Sequence, residues 1–143
     1  MSVSIRLTST MKPDEMAPLW PDIVACLEKY VARFPDETVS NIIKQCAMGR
    51  RQLWIIQDET GRVILTPITE ITVDDATGAK TLVLAEVGGS RLRESMPLLK
   101  EIEAWAKREH GAEKARLIGR DGWMRLLPRF GYQPEARIYS KGL

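Results

Sequence analysis

Residues 80–111 read KTLVLAEVGGSRLRESMPLLKEIEAWAKREHG, and this stretch decides the fold. Thr81 to Val87 is almost wholly apolar, the pattern of a strand covered on both faces. Gly88 and Gly89 break the run. Met96, Leu98, Leu99, Ile102, Trp105 and Ala106 then recur at helical rather than alternating spacing. Gly111 ends the helix, because glycine adopts the left-handed cap at least cost. A new strand is expected from Lys114. Strand, glycine turn, helix and strand is how two parallel strands are joined. The same layout aims backbone N–H groups and the positive helix end at one spot, where a phosphate can be held.

Outward from this unit, Val3-Ser4-Ile5-Arg6-Leu7 alternates and reads as a first strand. Pro21 suits the first turn of a helix running through Ile23, Val24, Leu27, Tyr30, Val31 and Phe34 and stopped by Pro35. Asp36 or Thr38 caps a second helix, which ends at Gly49. Arg51 to Gln57 and Arg62 to Val73 form a hairpin around Asp58-Glu59-Thr60-Gly61. Pro67 inside the second of these strands implies an edge or a bulge. Lys114 to Ile118 is a short strand, Asp121 caps a short helix over Gly122 to Leu127, and Glu135 to Ser140 is read as a final strand. The order is β-α-α-β-β-β-α-β-α-β. It predicts one α/β (α+β) domain over residues 1–143, with a mixed, mostly antiparallel sheet and helices on both faces.

The chain has 143 residues and a formal net charge of +2, enough length for one sizeable core. No apolar run approaches the roughly 20 residues that span a bilayer, and the first residues lack the basic-then-apolar layout of a signal peptide. A cytoplasmic protein without membrane contact is expected. Cys26 and Cys46 fall in predicted helices and read as free thiols. His110 is the single histidine, so zinc-ligand spacing is absent and no metal is expected. Residues 91–143 carry twelve Lys/Arg against seven Asp/Glu. That basic half could meet an anionic ligand, nucleic acid or an acidic partner, or be a solvated face.

Leu98 to Ala106 resembles the central helix of the GNAT N-acetyltransferase-like family, and GWMRLLPRFGY over 122–132 resembles that family's last helix and its turn. The element order is also the family's. The resemblance implies an acyl-CoA site at the turn before the central helix, where the family has a Gln/Arg-x-x-Gly-x-Gly/Ala pattern. The matching positions here are Ser90, Arg93 and Ser95, and Gly88 and Gly89 lie five to six residues earlier than the pattern's glycines. The cofactor-binding candidates are therefore Val87, Gly88, Gly89, Arg91, Arg93 and Ser95, with acetyl-CoA the implied cofactor. In the last helix the family's Asn, Ala and Tyr correspond to Arg120, Trp123 and Leu127. Leucine cannot replace the tyrosine that protonates the departing thiolate, and Tyr132 is the catalytic candidate nearby. Glu86, at the end of the strand that lines the family's cleft, is the candidate general base. Glu70 is second. Outside a cleft, each reads as an exposed strand carboxylate. Trp105 and Trp123 read as core.

Three readings follow. The sequence style resembles small GNAT-like proteins encoded by bacteriophages. With the cofactor pattern incomplete, this implies a non-catalytic virion or assembly protein in the host cytoplasm or the particle. It would act by contacts with other virion proteins or with its own copies. The alternative is an acetyl-CoA-dependent N-acyltransferase. Nucleic-acid binding through the basic half is the least favoured, since no aromatic-interleaved basic run accompanies it.

Overall fold

The computed structural model describes residues 2–119 and 121–143. Five strands, β1 (Ser4–Leu7), β2 (Gln52–Gln57), β3 (Val63–Val73), β4 (Lys80–Gly89) and β5 (Lys114–Leu117), form one sheet in that order. The first four pair antiparallel, and β5 joins β4 in parallel. Short α1 (Pro13–Met16) precedes α2 (Trp20–Arg33) and α3 (Val39–Ala47). After β4 come α4 (Leu92–Ser95), a 3-10 turn over Met96–Leu98, and α5 (Leu99–His110). Pro97 lacks an N–H and sits at the start of that turn, which accounts for the break in an otherwise continuous helix.

The two faces of the sheet bury different helices. Leu53, Ile55, Val63 and Ile68 pack on Ile23, Cys26 and Leu27 of α2 and Ile42 of α3. Trp54, Leu82 and Leu84 pack on Leu99, Ile102 and Ala106 of α5. Trp105 meets Trp54 edge-on at 5.1 Å, in keeping with its reading as core. Thr38 caps α3 by accepting the Asn41 N–H at 3.1 Å. Cys26 and Cys46 are free thiols. No helix among the described residues is long and apolar enough to cross a membrane.

Three local expectations are corrected and a fourth is located. Gly88 and Gly89 are not a turn but the last residues of β4, still paired with Thr66 and Leu65. Pro67 pairs with Val87, and the bulge expected near it lies one residue on, where the β3–β4 register shifts between Ile68 and Thr69. The helix expected over 122–127 is two 3-10 turns, Asp121–Arg125 and Leu127–Phe130, with Pro128 inside the second. No strand forms over 135–140, where Ile138 is 76% and Tyr139 87% exposed. Glu135 is held on β5 by side-chain pairs with Lys114 and Arg116, not by a backbone ladder. Alternation makes a strand only when a partner lies alongside, and charge tethers the tail at one residue instead. Arg120 lies outside the described residues, and the same holds for the Asp121 cap side chain.

Candidate active site

The site is built on an irregularity in β4. Ile68 pairs with Glu86 while Thr69 pairs with Leu84, so Ala85 is an extra residue with no partner on β3. Side chains alternate along a strand, so one inserted residue moves all that follow to the opposite face. Leu82 and Leu84 face α5. Strict alternation would put Glu86 among them. The bulge turns it to the α2/α3 face and returns Val87 to the α5 side, where it borders the same apolar hollow as Leu84.

The bulge also marks where β4 loses a neighbour. The parallel ladder with β5 ends at Leu84–Leu117, whereas β4 continues to Gly89. Among the described residues, no strand pairs with 85–89 on that side, leaving a backbone edge that an amide-bearing ligand could pair with. On the α5 face this opening adjoins a hollow lined by Leu84, Val87, Leu92, Met96, Leu99 and Trp123.

On the other face Glu86 is buried, 6% exposed, and not the solvated strand carboxylate expected. Its Oε1 accepts from Arg51, and its buried Oε2 has no hydrogen-bond partner among the described residues. Arg51 Nη1 also reaches Glu37 at 3.3 Å, and its Nε lies 3.8 Å from Glu70. Burial pushes the Glu86 carboxyl up to about 7 against the opposing pull of Arg51, with the charges of Glu37 and Glu70 adding to the rise. Burial acts in the same sense on Glu37, but hydrogen bonds from Asn41, Thr38 and Arg51 outweigh it and hold that carboxyl low. One carboxyl is thus poised near neutrality beside another that stays ionised. This is the asymmetry acid–base chemistry requires.

The remaining sequence candidates have identifiable roles. A Cβ on Gly88 would run into the Cys26 carbonyl oxygen, and one on Gly89, at φ +125, into the Ile64 carbonyl oxygen. Both glycines serve close backbone packing. Arg91 adopts φ 58 and pairs with Glu94 at 2.7 Å and Asp58 at 3.7 Å. Ser95 is buried, and its hydroxyl donates to the Arg91 carbonyl at 3.0 Å. Arg93 is exposed on α4 and pairs with no carboxylate among the described residues, which leaves its charge available to a phosphate. The hollow holds only about 30 Å³, so the arm of an acyl-CoA would have to lie along the open β4 edge outside it, with Arg93 as a cation for the phosphate end. Tyr132 is on the α5 side of the sheet, away from Glu86, and its hydroxyl donates to Glu103 at 2.5 Å. Burial and Glu103 push that hydroxyl far above its usual range.

Sequence reasoning overlooked Arg51 and Glu37. Arg51 reads as the first residue of a strand, and Glu37 as part of a helix-capping turn.

No protein-family model and no curated protein sequence matches the chain. Its fold does match solved structures over nearly full length. A GNAT family acetyltransferase from Staphylococcus aureus superposes with a TM-score of 0.63 at 19% identity, covering 100% of both chains. Glucosamine-6-phosphate N-acetyltransferase from Arabidopsis thaliana gives 0.66 at 15% identity, covering 99% of each chain. An acetyltransferase from Trypanosoma brucei gives 0.68 at 12%, covering 99% of this chain and 100% of the other. At these identities the likeness is one of fold, and the chain has the GNAT fold.

Proposed function

We propose that this chain is an acyl-CoA-dependent N-acyltransferase in which Glu86 takes the proton from the acceptor amine. The observation that carries the reading is the bulge at Ala85. It sets a buried carboxyl, held near neutrality, beside the stretch of β4 that lacks a neighbouring strand. The solved structures with this fold named above are acetyltransferases, which supports the same reading.

Acyl-CoA, when bound, supplies an acyl group already activated as a thioester. The chain's own part is positioning and proton removal. The arm would lie toward Val87, Leu92 and Met96 on the α5 face, the thioester carbonyl would sit at the open edge of β4, where it can be reached from the Glu86 face, and Arg93 would face the phosphates. Glu86 Oε2, buried and unpaired, would accept the proton of the acceptor nitrogen. Leu127 has no proton to give, and the Tyr132 hydroxyl is committed to Glu103. Catalysis would therefore depend on positioning and on the base, and not on a protein acid at the leaving group.

Calorimetry with acetyl-CoA tests the cofactor half of this reading. Binding in the micromolar range is expected, weakened about tenfold by Arg93→Glu, which replaces attraction by repulsion. No heat at millimolar cofactor would retire the enzyme reading.

A second reading is a non-catalytic module acting by protein contacts, which the sequence resemblance alone would place in a bacteriophage virion or its assembly; two observations are compatible with such contacts. Gly88 and Gly89 are used for packing and not for a phosphate turn, and Ile138, Tyr139 and Leu143 stand exposed on the tail. This reading predicts that the protein is found within an assembled particle and that acetyl-CoA does not bind.

A further inference from the structure

We propose that Glu37, Glu70 and Glu86 form a pocket for a cationic amine acceptor, and that the Arg51 guanidinium occupies it until the acceptor displaces it. The assignment rests on the N-acyltransferase reading and adds the substrate class.

Three carboxylates converge on one cation, so the cluster carries excess negative charge whenever all three are ionised. Arg51 satisfies them poorly. A single nitrogen, Nη1, is shared between Glu37 and Glu86, and the approach of Nε to Glu70 is 3.8 Å, longer than a hydrogen bond. Guanidinium forms its strongest carboxylate pairs through two parallel N–H bonds, and no such fork is made here. Arg51 holds Glu86 through one nitrogen and spans Glu37 and Glu70 more loosely.

The second, independent sign is Glu86 Oε2. It belongs to a residue 6% exposed whose other oxygen is bonded to Arg51 within this cluster, and it has no partner among the described residues. A buried acceptor left unmatched while a guanidinium lies against its sister oxygen is a place for one more N–H donor. Access is open on the outer side, since Arg51, Glu37 and Glu70 are only partly buried.

The occupant is an organic cation and not a metal ion. Among the described residues no group of His, Cys, Asp or Glu is arranged to hold a metal. One aromatic side chain, Tyr30, stands near the carboxylates. Tyr30 and Phe34 on the last turn of α2 and just beyond it stack at 4.8 Å, and Tyr30 lies close enough to Glu86 and Glu37 to feel both charges. Aromatic faces beside carboxylates suit an ammonium. The nitrogen that reacts must be neutral when it attacks, so it cannot itself satisfy Glu37 and Glu70. These two carboxylates therefore select an acceptor with a second positive charge, and an aliphatic diamine is the simplest example.

Putrescine and butylamine, titrated separately into the full chain at low salt, test this. Putrescine is expected to bind about tenfold tighter than butylamine, because its two positive charges meet the three clustered carboxylates where butylammonium brings only one. Glu70→Gln should weaken putrescine about fivefold, and Arg51→Gln should tighten it about threefold by removing the internal competitor. Equal affinity for the two amines would overturn the assignment, as would no effect of Glu70→Gln or no putrescine binding at about 10 mM. If Arg51→Gln does not fold, Glu70→Gln decides alone. Acetyl-CoA is titrated in parallel. Cofactor binding without putrescine binding sinks the acceptor assignment only. Putrescine binding without cofactor binding upholds the cation site and sinks the acyltransferase reading.

Discussion

Replacing Glu86 by glutamine is expected to make the protein more stable at pH 8, unchanged in stability at pH 5, and inactive. Glutamine has the shape of the protonated acid. The folded chain holds the Glu86 carboxyl at about 7, above its ordinary 4.5. A carboxyl raised in this way favours the folded state below its ordinary pKa, and that contribution is lost as pH rises through about 7. At pH 5 the wild type still holds the proton and matches the variant. At pH 8 it carries a buried charge costing about 2–3 kcal/mol that the variant lacks. Thermal unfolding should therefore give a Tm roughly 5–8 °C higher for the variant at pH 8 and nearly equal values at pH 5. Loss of the base should lower kcat/KM by about 10²–10⁴. A variant less stable at pH 8 would identify Arg51–Glu86 as a structural ion pair, with no strain on the carboxylate.

Gly88→Ala is expected to cost about 2–3 kcal/mol, through backbone and not through a turn. The new methyl group would overlap the Cys26 carbonyl of α2, and no rotamer change relieves a clash with backbone. To make room α2 must move off β4, taking Ile23 and Leu27, both fully buried, with it. Gly78→Ala is the control. That glycine lies at φ +74 with open space around it, so only backbone strain of about 1–2 kcal/mol is expected. Denaturant unfolding of the two variants distinguishes a packing glycine from a turn glycine.

These two residues mark how far the sequence could be read. Helices α2, α3 and α5 and strands β1 to β5 were legible because their apolar periodicity is driven by burial on one or both faces. The role of Gly88 was not, since a glycine that lets a helix approach a strand looks in sequence like one that turns the chain. The tail over 135–140 alternates as a strand does, but pairing depends on a neighbour that composition does not reveal. Glu86 was found as a candidate, but its burial and facing were not. One signal was available. Counting by twos from Leu82 and Leu84 puts a carboxylate beneath α5, a conflict that a bulge at Ala85 resolves. Arg51 and Glu37 lie 35 and 49 residues before Glu86 in the chain, and only the fold brings them together.

The most direct test is the pH dependence of thiol release from acetyl-CoA by the wild-type protein, with putrescine as acceptor. Amine-dependent release is expected, with kcat/KM rising with pH through an apparent pKa of about 7, the Glu86 carboxyl of the free protein, and with that limb absent in Glu86→Gln. No release above background between pH 6 and 9, or release with the same profile in Glu86→Gln, would contradict that expectation.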